Sequence, residues 1–494
     1  MPTKEELIAG TDYRYIVESF ETDIGVQVEG VSFKWSSHHM SGSGAKPILA
    51  RDGHSYTAPK LTVGDWSMSH SSMTIALAAG PYDPRSGPKR GQLCVVKMGL
   101  KGWGADDFVP VYYGACQDVV RQGASRWSLE LRGLLSTLVQ RAAASDNTKL
   151  FPDLPIEVTL TGNRLPGGAV ELTDTSDFEA DSAGSALYCV EITPTGGDPF
   201  VASSASKTAL QLDAPLVDRI GTTDSGGDTG DTARVMAAIQ GHPVTIARKL
   251  LQSSIAGDNG ALDTLPSGWG MAVPLDLIDT LDCEDTETLV LPAEEVFVAA
   301  AEAIDDPLSW MQGWLGQMGM FLTERAGLIT VRAVPSSVSG IVDTYVVQDH
   351  ELVELVDYNT YNPDQMVEYQ RMTLVHLDPV TISLSDEDVL TRPQKYASVD
   401  RVEYVDTNPS TWLPDIISRV GPWMTRISEA ITIRVSGLKL AFAAPGSHLY
   451  IYSRFTDDRY GVIGVPWLIT SVQPDWFGRY VTVTAAFVPI TDTE

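Results

Sequence analysis

Residues 108–141 read FVPVYYGACQDVVRQGASRWSLELRGLLSTLVQR, and this stretch decides the fold. Val109, Val111 and Tyr113 alternate with their neighbours. Beyond the polar turn at 121–125, Trp127, Leu129 and Leu131 alternate with Ser128, Glu130 and Arg132. Alternation with a period of two turns one face of each segment to a core, so the sequence predicts a half-buried hairpin. From Leu134 the period changes. Leu134, Leu135, Leu138 and Val139 share one helical face, and Gln140 and Arg141 close the last turn with polar and positive groups. A sheet hands over directly to a helix laid against it.

Toward the N-terminus, Tyr13 to Trp35 reads as two strands with Gly25 and Gly30 as turn points, and Ser55 to Leu77 as two more around Gly64 and Asp65. Leu93 to Met98 adds a strand, which completes a first β-barrel near residue 145. The loop GPYDPRSGPKRG at 80–91 carries Arg85, Lys89 and Arg90 in an otherwise acidic protein. It reads either as a contact with an acidic neighbouring subunit or as a solvated loop.

Toward the C-terminus the pattern stays β from Phe151 to about Asp218, in the runs IEVTL, AVELT and LYCVEIT. This predicts a small antiparallel domain; a carbohydrate-binding sandwich, the other reading, lacks an aromatic cluster. GTTDSGGDTGD at 221–231 is a linker by composition. Thr232–Gln240 reads as a short helix and Pro243–Ser253 as an amphipathic one with Ile246, Leu250 and Leu251 inward. Pro307 opens a further helix through Leu308, Met311, Leu315 and Met318, ended by Gly319. A hairpin follows, Phe321–Thr323 and Leu328–Val331 around Gly327. Strands from Tyr345 to Tyr369, Val399 to Tyr404, Leu438 to Tyr452 and Trp467 to Val488 make a second barrel. The expected fold is therefore β-rich α+β. Its parts are a barrel over 1–150, an inserted β domain over 151–231, an α/β middle domain over 232–340 and a barrel over 341–494. A length of 494 residues fits three or four domains at about 150 residues each.

Hydrophobic residues make up 43 % and charged residues 20 %, as in globular proteins. With 35 Lys and Arg against 64 Asp and Glu, the net charge is −29. Such a chain does not hold nucleic acid by its overall field, which needs cations on phosphates. An acidic wall instead keeps DNA from adsorbing. Cys94, Cys116, Cys189 and Cys283 are far apart, with no C-x-x-C pair, and imply neither zinc nor a disulfide framework. His38, His39, His54 and His70 lack ligand spacing. Asp224, Asp228 and Asp231 suit calcium by ligand type, but their spacing fits no calcium loop and a plain loop is the alternative. The acids Asp386, Glu387 and Asp388 have no His or hydroxyl nucleophile beside them. Trp310 and Trp314, four apart, read as core or subunit interface rather than a stacking platform. No catalytic, cofactor-binding or metal-ligating residue is assigned, and no enzyme activity is expected. No stretch reaches the roughly 18 apolar residues of a membrane helix, and the N-terminus has no signal-peptide core.

Several phrases resemble one family. They are the strand–W-x-L-E-L-R-G–helix–L-x-Q-R run that ends at Arg141, and Tyr56 and Pro59 ahead of a barrel strand. In the middle come Leu250-Leu251, then D-x-L-P at 263–266, Val273-Pro274 and Leu277-Ile278-Asp279. Then follow GMFLTERAGLITV from Gly319 to Val331 and APGSHLYI from Ala444 to Ile451. In this order they resemble the tail hub, baseplate hub or tail-tip proteins of long-tailed bacteriophages. The resemblance implies a structural virion protein, made in the host cytoplasm and located at the tail tip. It implies a homotrimer that joins the distal tail protein ring to a central tail fibre or tip protein and meets the tape measure protein, with ejected DNA passing through its lumen. Some relatives hold an iron–sulfur cluster, for which this chain lacks the clustered cysteines. The other readings are a tail-associated receptor-binding or accessory baseplate protein, which would favour repeats and exposed aromatics, and a cell-wall hydrolase, which would need a Glu or Cys/His constellation.

Overall fold

The computed structural model describes residues 22–28, 33–37, 49–50, 53–63, 66–78, 84–100, 103, 107–123, 125–137, 158–165, 170–171, 187–196, 200–204, 211–212, 215–218, 226–252, 271, 273–290, 297–301, 307–316, 318–325, 328–334, 343–360, 369–374, 380–383, 397–399, 402–404, 419–420, 423, 429–452, 466–475 and 480–487. The hairpin read from the sequence is present as Val109–Arg121 and Arg126–Gly133, and helical residues begin at Leu134. It sits inside a curled seven-stranded sheet in the order 33–36, 22–28, 93–100, 109–121, 126–133, 72–78, 55–57. The C-terminal sheet has six strands in the order 344–348, 448–452, 466–475, 480–487, 429–436, 352–360. Among the described residues, neither sheet bonds its two end strands to each other. The protein is thus β-rich with two curled half-barrels and few helices.

The two half-barrels share one core. Ile75, Val96, Met98, Leu129 and Leu131 of the N-terminal sheet belong to the same apolar cluster as Val347, Ile433, Leu449, Ile469 and Val483 of the C-terminal one. Each of these side chains is about as buried as a core residue can be, at 0–1 % exposure. Each sheet supplies the apolar lid that the other needs, since a sheet with one apolar face must cover it. A backbone bridge between Lys60 and Ser471, and a bond donated by Gln473 Nε2 to the Tyr56 carbonyl (3.1 Å), stitch the pair together.

A third sheet has the order 215–218, 200–204, 187–193, 232–241, 297–301, 402–404. Two sequence expectations are corrected here. Residues 232–240 are not a helix but part of the strand Thr232–Gly241. Its helix formers, Ala233, Met236, Ala237 and Ala238, are overruled because the strand has partners on both sides, 187–193 and 297–301. The same ladder joins strands from both sides of residue 231, so the segments 151–231 and 232–340 share a sheet. Gly25 is likewise no turn point but lies within the strand Thr22–Val28, paired with Lys97. The strand Glu429–Ser436 and the helix Thr280–Leu289 have no counterpart in the sequence reading. The helices Pro243–Gln252 and Pro307–Gly316 form as read, each opened by a proline.

Pro445-Gly446 is a turn, as read, and Gly446 is held at φ +92°. A Cβ there would lie 2.8 Å from Phe321 Cζ and 3.2 Å from Arg332 Cδ. Gly446→Ala therefore combines backbone strain with a clash, and should destabilise the protein by about 1–3 kcal/mol in denaturant titration. Gly91→Ala, at φ +84° with open space around it, should cost less and serves as the comparison.

Candidate functional site

The hairpin Met320–Arg325 and Leu328–Ala333 pairs in strict antiparallel register, Phe321 opposite Arg332 and Glu324 opposite Ile329. It is buried along almost its whole length. Residues facing each other across a ladder share a face, so Arg332, Thr330 and Arg325 lie on one side and Glu324 on the other. Burying charge on both faces is costly unless every group is answered. Both faces answer it.

On the first face, Arg332 makes a bidentate pair with Asp282, Nη2 to Oδ1 at 2.7 Å and Nε to Oδ2 at 2.9 Å. Arg332 also donates to Ser447 Oγ (2.6 Å) and to Asp343 Oδ2 (2.6 Å). Asp282 accepts further bonds from Arg325 Nη1 (2.8 Å) and Thr330 Oγ1 (2.7 Å). Asp282 is fully buried and Arg332 is 1 % exposed. Burial pushes the Asp282 carboxyl up, but the bonds and charge of Arg332, Thr330 and Arg325 outweigh it and hold the carboxyl below its usual range. His448, buried beside this cluster, is pushed down to about 3 by desolvation and by Arg332, and so stays neutral. Asp282 comes from the helix Thr280–Leu289, whose N-cap Asp279 accepts from the Asp282 amide. Ser447 belongs to the APGSHLYI turn. One arginine thus ties the middle helix and the C-terminal half-barrel to the hairpin.

On the second face, Glu324 accepts from Ser71 Oγ and from the Leu135 amide (3.1 Å). It acts as a helix cap supplied by a distant part of the chain. Burial raises its carboxyl above the usual range, and the bonds from Ser71 and the amides of Leu134 and Leu135 offset this only in part. Gly133, which ends W-x-L-E-L-R-G, makes room: a Cβ there would fall 2.0 Å from Ser71 Oγ and 2.6 Å from Glu324 Oε1. Three phrases of sequence far apart in the chain therefore meet at one buried junction. The arrangement is a weld: Arg332 is answered by carboxylates and a hydroxyl, and Glu324 by a hydroxyl and backbone amides.

A cleft of about 430 Å³ opens between the two large sheets, lined among others by Tyr56, Met73, Arg434, Asp475, Tyr480 and Thr482. Arg434 lies over the Tyr480 ring at 4.7 Å and pairs with Glu354 at 2.8 Å. His54 is bound to the Ala50 carbonyl and accepts from the Ala76 amide, so it serves as a turn brace. Asp231 accepts from Thr195 and from the Asp228 amide in a tight loop. His38, His39, Asp224 and the acids 386–388 lie outside the described residues. Among the described residues no three His, Cys, Asp or Glu gather to hold a metal, and no helix is long and apolar enough to cross a membrane. Trp310 and Trp314 stack at 5.9 Å, Trp314 within an apolar core and Trp310 half-buried against it. Cys94, Cys116 and Cys283 are free and buried, their thiols pushed up to about 12, 11 and 11 chiefly by desolvation.

No family model matches the chain, and no curated protein matches it. Among solved structures, a 43 kDa tail protein of prophage MuSo2 from Shewanella oneidensis aligns over 94 % of this chain and 98 % of its own, at 9 % identity and a TM-score of 0.39. The prophage tail protein gp18 from Listeria monocytogenes aligns over 95 % of each chain at 7 % identity and a TM-score of 0.34. A chain of the Francisella PdpA–VgrG complex aligns over 96 % of this chain and 58 % of its own, at 9 % identity and a TM-score of 0.34.

Removing Asp282 takes two of the four bonds from the buried Arg332 guanidinium and leaves it only Asp343 and Ser447, so Asp282→Ala should destabilise by about 3–5 kcal/mol in denaturant titration, whereas replacing both partners by apolar residues should cost less. The two carboxyls pull stability in opposite directions with pH. The depressed Asp282 contributes stability that is complete above its unfolded value and lost as pH falls through the folded one. Glu324, raised above 4.5, favours the folded state most below that pH and less as pH rises through its folded value. Glu324→Gln, which can still donate to Ser71 and accept from Leu135, should therefore flatten the alkaline side of a melting-temperature-against-pH curve and leave the acid side unchanged.

Proposed function

We propose that this chain is a non-enzymatic structural component of a phage-type tail, namely the hub that closes the end of the tail tube. The observation that carries this reading is the junction itself. The phrases that resemble hub proteins, at 127–133, 319–331 and 444–451, are the ones whose residues meet there, and they lock two curled sheets into one body. A rigid pair of half-barrels suits a ring wall. Three chains would present six similar sheets to a sixfold tube while keeping threefold symmetry for a central fibre or tip protein. The distal tail ring would seat above, and the tape measure protein and then DNA would pass through the lumen. The net charge of −29 favours a wall on which DNA does not adsorb.

Light scattering on the purified protein should give a species near three times the 53.4 kDa chain mass, and electron microscopy should show a ring with a hole wide enough for duplex DNA. A neutral or basic inner wall in that ring would refute the charge argument. Steady release of soluble fragments from peptidoglycan would refute the non-enzymatic one.

A further inference from the structure

One face of the C-terminal sheet carries an ordered polar surface. Ile433, Val435, Val472, Val481 and Val483 turn to the core, so the residues that alternate with them point the other way. The ladder lines those residues up. Glu354, Arg434, Thr482 and Gln473 stand opposite one another across four strands, and Ser436, Tyr480 and Asp475 form the next row. Side chains in such rows are near enough to brace one another. Arg434 donates to Glu354 (2.8 Å) and lies over the Tyr480 ring at 4.7 Å, while the Tyr480 hydroxyl is bound to Asp475.

The end strand Ser55–Thr57 of the N-terminal sheet stands against this face, held by the Gln473 bond to the Tyr56 carbonyl, and makes it one wall of the 430 Å³ cleft. That volume is ordinary for a small-ligand site. The wall keeps hydrogen-bonding capacity in reserve. Among the described residues, the Ser55 and Thr482 hydroxyls and the Gln473 amide oxygen make no bond, and Arg434 Nε, shielded from solvent, has no partner.

Local charge narrows what can enter. An anion would meet Glu354 and Asp475, a cation would meet Arg434, and like charges brought together cost affinity. An apolar ligand would leave the hydroxyls unanswered. A peptide adding as a strand needs the edge of Ser55–Thr57, where Gln473 already holds the middle carbonyl. A neutral ligand rich in hydroxyls, able to donate and accept at several points, meets none of these objections.

We infer that the cleft binds a short neutral saccharide. Arg434, Thr482, Gln473 and Ser55 bond its hydroxyls, and the rings of Tyr480 and Tyr56 meet its C–H surfaces. Because Tyr480 is braced at its hydroxyl and over its ring, the wall is set before the ligand arrives, which spares part of the cost of ordering it. The cleft lies within one chain and needs no second copy.

Titration calorimetry and saturation-transfer NMR on the full chain test this, with lactose, maltose, cellobiose and chitobiose each taken to about 10 mM. At least one of the four should bind. Tyr480→Ala and Arg434→Ala should each weaken it roughly tenfold. Thr482→Val, which keeps the shape and removes the hydroxyl, should weaken it several-fold, with thermal melts confirming that all three variants fold. Inorganic phosphate and spermidine should not displace the sugar. No binding by any of the four, binding unmoved by all three variants, or displacement by phosphate or spermidine would overturn the saccharide site and leave the hub reading where it stands.

Discussion

The buried pair between Arg332 and Asp282 is the constraint on which the rest of the structure depends. A buried ion pair adds little net stability over apolar residues of the same shape, because desolvation consumes most of the attraction. What it adds is uniqueness. A guanidinium with Asp282, Asp343 and Ser447 as partners has one geometry in which all its bonds are made. The helix, the hairpin and the C-terminal half-barrel must adopt that geometry together. Glu324 does the same for the N-terminal sheet from the opposite face of the same two strands. Apolar packing alone would let curled sheets slide against each other, since hydrophobic contact is non-directional. Here sliding by one residue would bury an unpaired charge.

Elements whose signal is local were legible in the sequence. The Val109–Gly133 hairpin announced itself by alternation, and Pro307 and Gly319 bracketed a helix through backbone chemistry that no distant contact overrides. Thr232–Gly241 was misread for the complementary reason: its composition is helical, and only ladder partners tens of residues away make it a strand. The doubly bulged Leu352–Thr360 strand shows in the sequence as β, but the exposure of Val353 and Val356 does not.

The junction was half legible. FLTERAGLITVR reads as a hairpin, and a Glu and an Arg inside so apolar a run are a visible anomaly, since charges in buried strands need partners. Their partners were invisible. Asp282 sits in a helix with three other acids, Glu284, Asp285 and Glu287, behind the N-cap Asp279, and nothing in the local sequence singles it out. Ser71 is one of several serines in a row. Only the fold, which places residues 71, 133, 282, 324, 332 and 447 together, distinguishes them.

The shared core also has a history in time. The N-terminal sheet is complete in sequence at Gly133, but most of the face that covers it belongs to strands from Glu429 onward. At about 5–20 residues per second, the ribosome takes roughly 15–60 s to supply that cover. Through this interval the sheet's apolar face lacks most of the partners that its own chain will supply. Two identical sheets on neighbouring ribosomes of one message would then be available to each other, so the order of the strands along the chain makes translation the stage at which this protein is most exposed to aggregation.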